Sequence, residues 1–145
     1  MNRPGSAHME RARRLLVYER EAGGAEDFAA AAGQVYDKLH AHLAPLVGAS
    51  GVEALIARSM KVTHGEFPFL EVPIREGSTK LRECLRAQEP AVAAESATAL
   101  FGNFFALVAR FIGERLTTQA LRSAWPTIEE TAPRTPTNEL RRSDS

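Results

Sequence analysis

The chain of 145 residues has a single cysteine and no net charge. Cys84 cannot form a disulfide within the chain, which fits a reducing compartment, so we expect a cytoplasmic location. Eighteen Lys and Arg residues balance eighteen Asp and Glu residues. The charge of the whole molecule therefore gives no argument for a nucleic acid, a membrane surface or an anionic substrate, and binding of that kind would depend on a local patch.

A signal peptide and a long apolar run are also missing. Residues 1–14 alternate charged and small side chains and contain no apolar core. The most apolar stretch, residues 99–112, holds eleven apolar residues in fourteen positions, fewer than the roughly 20 that cross a membrane. Gly102, Asn103 and Arg110 interrupt it. We therefore predict no membrane span, and instead a helix that is surrounded by other helices.

Motifs for catalysis, metal binding and nucleotide binding are absent from the sequence. His40 and His42 lie about 200° apart around a helix, so they cannot share a metal ion. His64 and Glu66 form an HxE fragment, but a zinc site of the deaminase type also needs two following cysteines. There is no Glu-x-x-His pair, glycine-rich phosphate loop or nucleophile signature. We predict no catalytic residue, no metal and no cofactor, and a protein that is not an enzyme.

Helical periodicity runs through most of the chain, with apolar residues recurring at steps of three or four. The pattern predicts an all-α, single-domain bundle of about five helices around the central apolar helix. Ser50 is a candidate cap for the third helix, and Pro45 predicts a kink or an end in the second. The last helix either breaks near Thr117 or continues to Trp125. The predicted helices span residues 7–22, 25–47, 51–63, 78–87 and 90–115.

The two ends of the chain differ in composition from the helical domain, which we predict at residues 7–130. Residues 1–6 contain Pro4, Gly5 and Ser6 and are expected to form a flexible leader. Residues 131–145 are polar and contain proline, so we expect a disordered tail.

A proline-rich and glycine-rich loop is predicted at residues 64–78. It carries Phe67, Phe69, Leu70, Val72 and Ile74, and the first three either cover the core or line an open groove. These three residues are therefore candidates for contact with a partner.

Two polar residues within the apolar stretch are further candidates. Asn103 is expected to form a hydrogen bond across a helix interface, either within one chain or between two copies, where Gly102 permits close approach. Arg110 must reach the rim of the domain or pair with a carboxylate, because an isolated buried charge is strongly unfavourable.

The segment ALIARSMKVTHGEF, residues 54–67, resembles the helix-turn-helix of bacterial transcription factors. Ile56 and Ala57 match the pair on the first helix of that motif, Val62 the buried residue, and Thr63 the cap of the recognition helix. The resemblance implies DNA binding through residues 51–67. Lys61 stands where the turn usually has glycine, however, and the other interpretation is a helix end followed by a hydrophobic loop.

These observations favour a small, bacterial-type, non-enzymatic regulatory or protein-interaction module. The expected partner is a protein or a second copy of the chain, bound through a hydrophobic groove or a homodimer face. The alternative is a DNA-binding regulator that uses residues 51–67. Residues 1–20 carry five arginines and two glutamates, which either contact phosphate or form a solvated face whose arginine stems cover apolar surface.

Overall fold

The computed structural model describes residues 6–70 and 77–126, and the side chains of all of these except Ser6 and Gly77. This part of the chain is all-helical, as predicted, and has no strand. The predicted leader, apart from Ser6, and the predicted tail lie outside the described residues. The helices are α1 (Ser6–Glu21), α2 (Phe28–Val47), α3 (Ala49–His64), α4 (Gly77–Arg86), α5 (Pro90–Ile112) and α6 (Glu114–Ala124).

Two helices, α2 and α5, form the centre of the bundle. Each of them packs against all five other described helices. No two of the outer helices α1, α3, α4 and α6 pack directly against each other, although α1 and α6 meet through side chains. The prediction of a central apolar helix at residues 90–115 is therefore confirmed for α5, and the structure adds α2 as its partner.

The apolar side chains of α5 explain its central position. Phe101, Phe104 and Phe105 are fully buried, together with Leu100 and Val108. By length and composition α5 is the one helix in the described ranges that is apolar enough to cross a membrane, and most of that stretch is buried inside the bundle. This burial is typical of the core helix of a globular domain.

Glycines in the left-handed region set two of the helix boundaries. Gly113 has a φ of +95° and ends α5 at Ile112. The helix therefore stops earlier than predicted, and the break lies before both predicted places, Thr117 and Trp125. Gly48 has a φ of +86° and separates α2 from α3, so it takes the N-cap position expected for Ser50. Pro45 lies in the last turn of α2, which continues to Val47.

Side-chain caps and ion pairs attach α4 to α2. Asp27 caps α2, accepting a hydrogen bond of 2.8 Å from the backbone amide of Ala30. Its carboxylate also accepts from Arg86 of α4. The Ala30 amide and then the Arg86 guanidinium hold the pKa of Asp27 below its usual value. A second ion pair joins Arg82 to Asp37 at 3.7 Å.

A buried carboxylate connects α1, α2 and the end of α6. Glu19 is 1% exposed. Its Oε2 atom accepts hydrogen bonds from Lys38 Nζ at 2.6 Å and from Trp125 Nε1 at 2.7 Å. The Lys38 ammonium also lies over the rings of Tyr18 and Trp125. These contacts hold the last described helix against the rest of the bundle.

Candidate interaction surface

The segment after α3 covers part of the core. Phe67 accepts a hydrogen bond from Leu70 through its carbonyl, and Leu70 is 1% exposed. Phe69 is half-buried, lies edge-to-face with Phe67 at 6.0 Å between ring centroids, and accepts a hydrogen bond from Cys84 Sγ through its carbonyl. Leu70 is therefore a core residue, whereas Phe67 keeps an exposed edge. Residues 71–76 of the predicted loop lie outside the described ranges.

Phe67 borders an open recess of about 280 Å³. The recess lies between α1, α5 and the turn that follows α3, and it has both apolar and charged walls. Arg13 on one wall also forms an ion pair with Glu10 at 3.4 Å. The residues that line the recess are Met9, Arg13, Glu66, Phe67, Glu95, Thr98 and Ala99.

The recess continues into a strip of α5 that is exposed at its two ends and half-buried or buried between them. The strip lies between α1 and α3, which both pack against α5 but not against each other. Its positions recur at steps of three or four and fall within about 80° of the helix circumference. We call this strip the α5 face; it consists of Glu95, Ala99, Asn103, Ala106 and Arg110.

Gly102 allows α1 to lie close to one side of the α5 face. A Cβ atom at Gly102 would overlap the side chain of Met9. The expectation that Gly102 permits close approach of helices is met here between α1 and α5 of the same chain. The close approach places Met9 at the edge of the recess.

Asn103 connects the α5 face to α3. Its Nδ2 atom donates a hydrogen bond of 2.9 Å to Thr63 Oγ1. The Thr63 hydroxyl donates in turn to the carbonyl of Ser59 at 2.7 Å. Of the two arrangements expected for Asn103, this bond is the one within a single chain. The amide is half-buried, so part of it still reaches the surface.

Arg110 reaches the rim of the domain, which is one of the two predicted arrangements. It is exposed and makes no ion pair within the described part of the chain. Glu95, also exposed, lies fifteen positions earlier on α5. The α5 face is therefore acidic at one end and basic at the other, over about 22 Å of helix.

Two large apolar side chains remain exposed on α5 and α3. Phe111 follows Arg110 and is 65% exposed, and Val62 is 54% exposed. Val62 is nine residues from Glu53, which pairs with His40 of α2. Nine residues correspond to about 180° around a helix, so Val62 lies on the side of α3 that is turned away from α2.

The helix-turn-helix resemblance falls on a single continuous helix. Residues 51–64 all belong to α3, with Thr63 in its last turn. The backbone amides of Glu66 and Phe67 both donate to the carbonyl of Thr63 in a tight turn. The recognition helix expected from Thr63 is therefore not formed by residues 63–70. The DNA-binding alternative stays a prediction, without the second helix that the resemblance implies.

The histidines are dispersed over the surface of the bundle. His8 lies 3.7 Å from Glu114, and His40 stacks on Tyr36. Burial, together with the nearby charges of Glu53 and Asp37, raises the pKa of Tyr36. Within residues 6–70 and 77–126, no group of three or more His, Cys, Asp or Glu side chains is placed to hold a metal ion.

Two arginines of α1 contact side chains that lie near them in the bundle. Arg20 lies over the ring of Phe28 at 4.8 Å, and Arg13 pairs with Glu10. These contacts agree with the interpretation of a solvated helix face whose arginine stems cover apolar surface.

Comparison with known proteins gives no further guide to the site. No family model, no curated protein and no solved structure matches this chain.

Sequence reasoning identified Phe67, Asn103 and Arg110 of this surface, but it missed the recess, because Met9 and Thr98 come together with Phe67 only through the packing of three separate segments. The opposite charges of Glu95 and Arg110 on one helix side were a readable signal.

Proposed function

We propose that this protein is a small, non-enzymatic interaction module, with a regulatory role in the bacterial cytoplasm, that binds another protein chain along the α5 face. The observation that carries the proposal is the open recess between α1, α5 and the turn after α3, together with exposed apolar side chains on α3 and α5. Exposed apolar groups of this kind, rimmed by charges, mark surfaces that lose water when a partner binds.

The shape of the site favours a protein partner over a small molecule. A recess of about 280 Å³ lies just below the range of about 300–1,000 Å³ that is typical of small-molecule pockets. It is large enough to take one apolar side chain of a partner, which the edge of Phe67 and the Met9 thioether would contact. The whole α5 face, including the part that lines the recess, extends about 22 Å along the helix, as an element of a partner protein would require.

A photo-crosslinking experiment tests this function. Benzoylphenylalanine is placed at Phe67, which keeps an aromatic ring at the edge of the recess, and adducts formed in cells are identified by mass spectrometry. The matched control carries the same group at Leu46, which is exposed in the last turn of α2. We expect a discrete protein adduct from position 67 that position 46 does not give. The proposal is wrong if the two positions give the same adducts, or if neither gives any.

A further inference from the structure

The rim of the recess carries two carboxylates that are still available to a partner. Glu66 lies in the turn after α3 and Glu95 on α5, and both are exposed where they line the recess. Within the described part of the chain, neither of them forms an ion pair or a side-chain hydrogen bond. Arg13, the one cation among the described lining residues, already pairs with Glu10. The rim of the recess therefore has an excess of negative charge.

Below this rim the walls of the recess are mostly apolar. The Met9 thioether and the Phe67 ring are both half-buried. The hydroxyl of Thr98 donates a hydrogen bond of 2.8 Å to the carbonyl of Ala94, so its proton is already used. Apart from the guanidinium of Arg13, the described side chains of the recess therefore offer apolar surface and hydrogen-bond acceptors, and no free donor.

From this combination we infer that the recess binds a lysine or arginine side chain of the partner protein. The inference rests on the proposed function and names the chemistry of its partner. The methylene stem of such a side chain lies against Met9 and Phe67, as long cationic side chains do on apolar surface. Its charged head then reaches the carboxylates of Glu66 and Glu95. The apolar walls and the acidic rim thus match the two parts of one kind of residue.

The removal of water favours a cationic partner over a neutral or an acidic one. Any chain that covers the recess takes water away from the two rim carboxylates, which is unfavourable for a charge that gains no partner in return. A neutral side chain leaves this cost uncompensated, and an acidic side chain adds repulsion. A lysine or arginine head compensates the cost through charge-assisted hydrogen bonds to the carboxylates.

Methyl NMR of the full chain tests the inference at the Met9 methyl group. Met60 is 7% exposed in α3 and serves as an internal reference. The probes are the peptide amides acetyl-Ala-Lys-Ala and acetyl-Ala-Arg-Ala. The control peptide has norleucine, an uncharged straight chain, at its centre. We expect a saturable shift of the Met9 signal, with a dissociation constant about threefold or more below that of the norleucine peptide, while the Met60 signal stays in place.

Neutral variants of the two carboxylates identify the groups that bind the charge. Glu66→Gln and Glu95→Gln each keep the shape of the rim and remove one charge, so each should weaken binding of the lysine peptide by about two- to fivefold. The double variant should bind it no better than it binds the norleucine peptide. Glu21→Gln, an exposed change at the end of α1, is the matched control and should leave the dissociation constant unchanged. Circular dichroism melts of all variants verify that folding is retained.

The outcomes separate this inference from the proposed function. The inference is overturned if the norleucine peptide binds as tightly as the lysine peptide, if no peptide shifts the Met9 signal, or if the glutamine variants bind like the wild type. If benzoylphenylalanine at position 67 still gives a discrete protein adduct, the interaction function stands and only the chemistry of the partner is wrong. Absence of that adduct overturns the function, and with it the partner inferred from it. The adduct, together with the losses in the glutamine variants, supports both.

Discussion

At the scale of single residues, Glu19 is the feature with the largest expected effect on stability. Its Oε2 atom takes both hydrogen bonds, from Lys38 and Trp125, while Oε1 is buried without a hydrogen-bond partner in the described part of the chain. A carboxylate with one unsatisfied oxygen is tolerated because the Lys38 ammonium neutralises its charge and the Trp125 N–H donates a further hydrogen bond. Removing the carboxylate leaves the Trp125 N–H buried and without an acceptor.

We expect Glu19→Ala to lower the free energy of unfolding by about 2 kcal/mol, because it removes the buried partner of the partly exposed Lys38 and leaves the Trp125 N–H without an acceptor. Glu21→Ala, an exposed change at the end of the same helix, should alter it by less than about 0.5 kcal/mol. Urea unfolding followed by the fluorescence of Trp125, the single tryptophan, measures both. Equal effects of the two substitutions would contradict a structural role for Glu19.

At the scale of helices, the positions of the ends depend on individual glycines. Gly113 holds a φ of +95° between α5 and α6, where an L side chain would be strained. Gly65 follows α3 with a φ of −60°, in the ordinary helical region. The two glycines therefore separate the effect of backbone strain from the effect of adding a methyl group.

Gly113→Ala should destabilise the protein by about 1 kcal/mol or more, since the native backbone conformation is unfavourable for alanine. Gly65→Ala should leave the stability unchanged or raise it slightly, because alanine reduces the conformational freedom of the unfolded chain. Chemical denaturation of both variants and the wild type provides the comparison. The interpretation of Gly113 as a required break fails if its alanine variant is as stable as that of Gly65.

The helices also show which features of the fold can be predicted from local sequence patterns and which cannot. Apolar spacing predicted the bounds of α1 to α5 to within a few residues, because the buried face of an amphipathic helix shows in the sequence as apolar residues at steps of three or four. The pattern did not show that α2 shares the centre with α5, since half of the buried residues of α2 are alanine or glycine, which carry little hydrophobic signal. The Glu19 contact with Trp125 spans 106 positions, so no local pattern contains it.

At the scale of the whole molecule, the central pair of α2 and α5 should determine the order in which the structure opens. Every outer helix lies against this pair, whereas no two outer helices pack against each other in the described part of the chain. Local opening is easiest where few buried apolar contacts must be broken. The short helices α4 and α6 are therefore expected to open before the centre does.

Hydrogen exchange measured by mass spectrometry tests this order. Amides in the middle of α2 and α5 should exchange most slowly, with an opening free energy close to the global free energy of unfolding. Amides of α4 and α6 should exchange through local openings that have a lower free energy. If α4 exchanges as slowly as α5, the bundle opens as one unit and the distinction between centre and periphery has no energetic basis.

The separation of the outer helices also bears on how substitutions combine. Helices α1 and α4 both pack against α2 and α5 but not against each other. A change in α1 and a change in α4 that touch no common residue of α2 or α5 should therefore have additive effects on the free energy of unfolding. Such additivity would let the surface around the recess vary in sequence without compensating changes in α4, so that the side of the bundle with the recess would evolve independently of its opposite side.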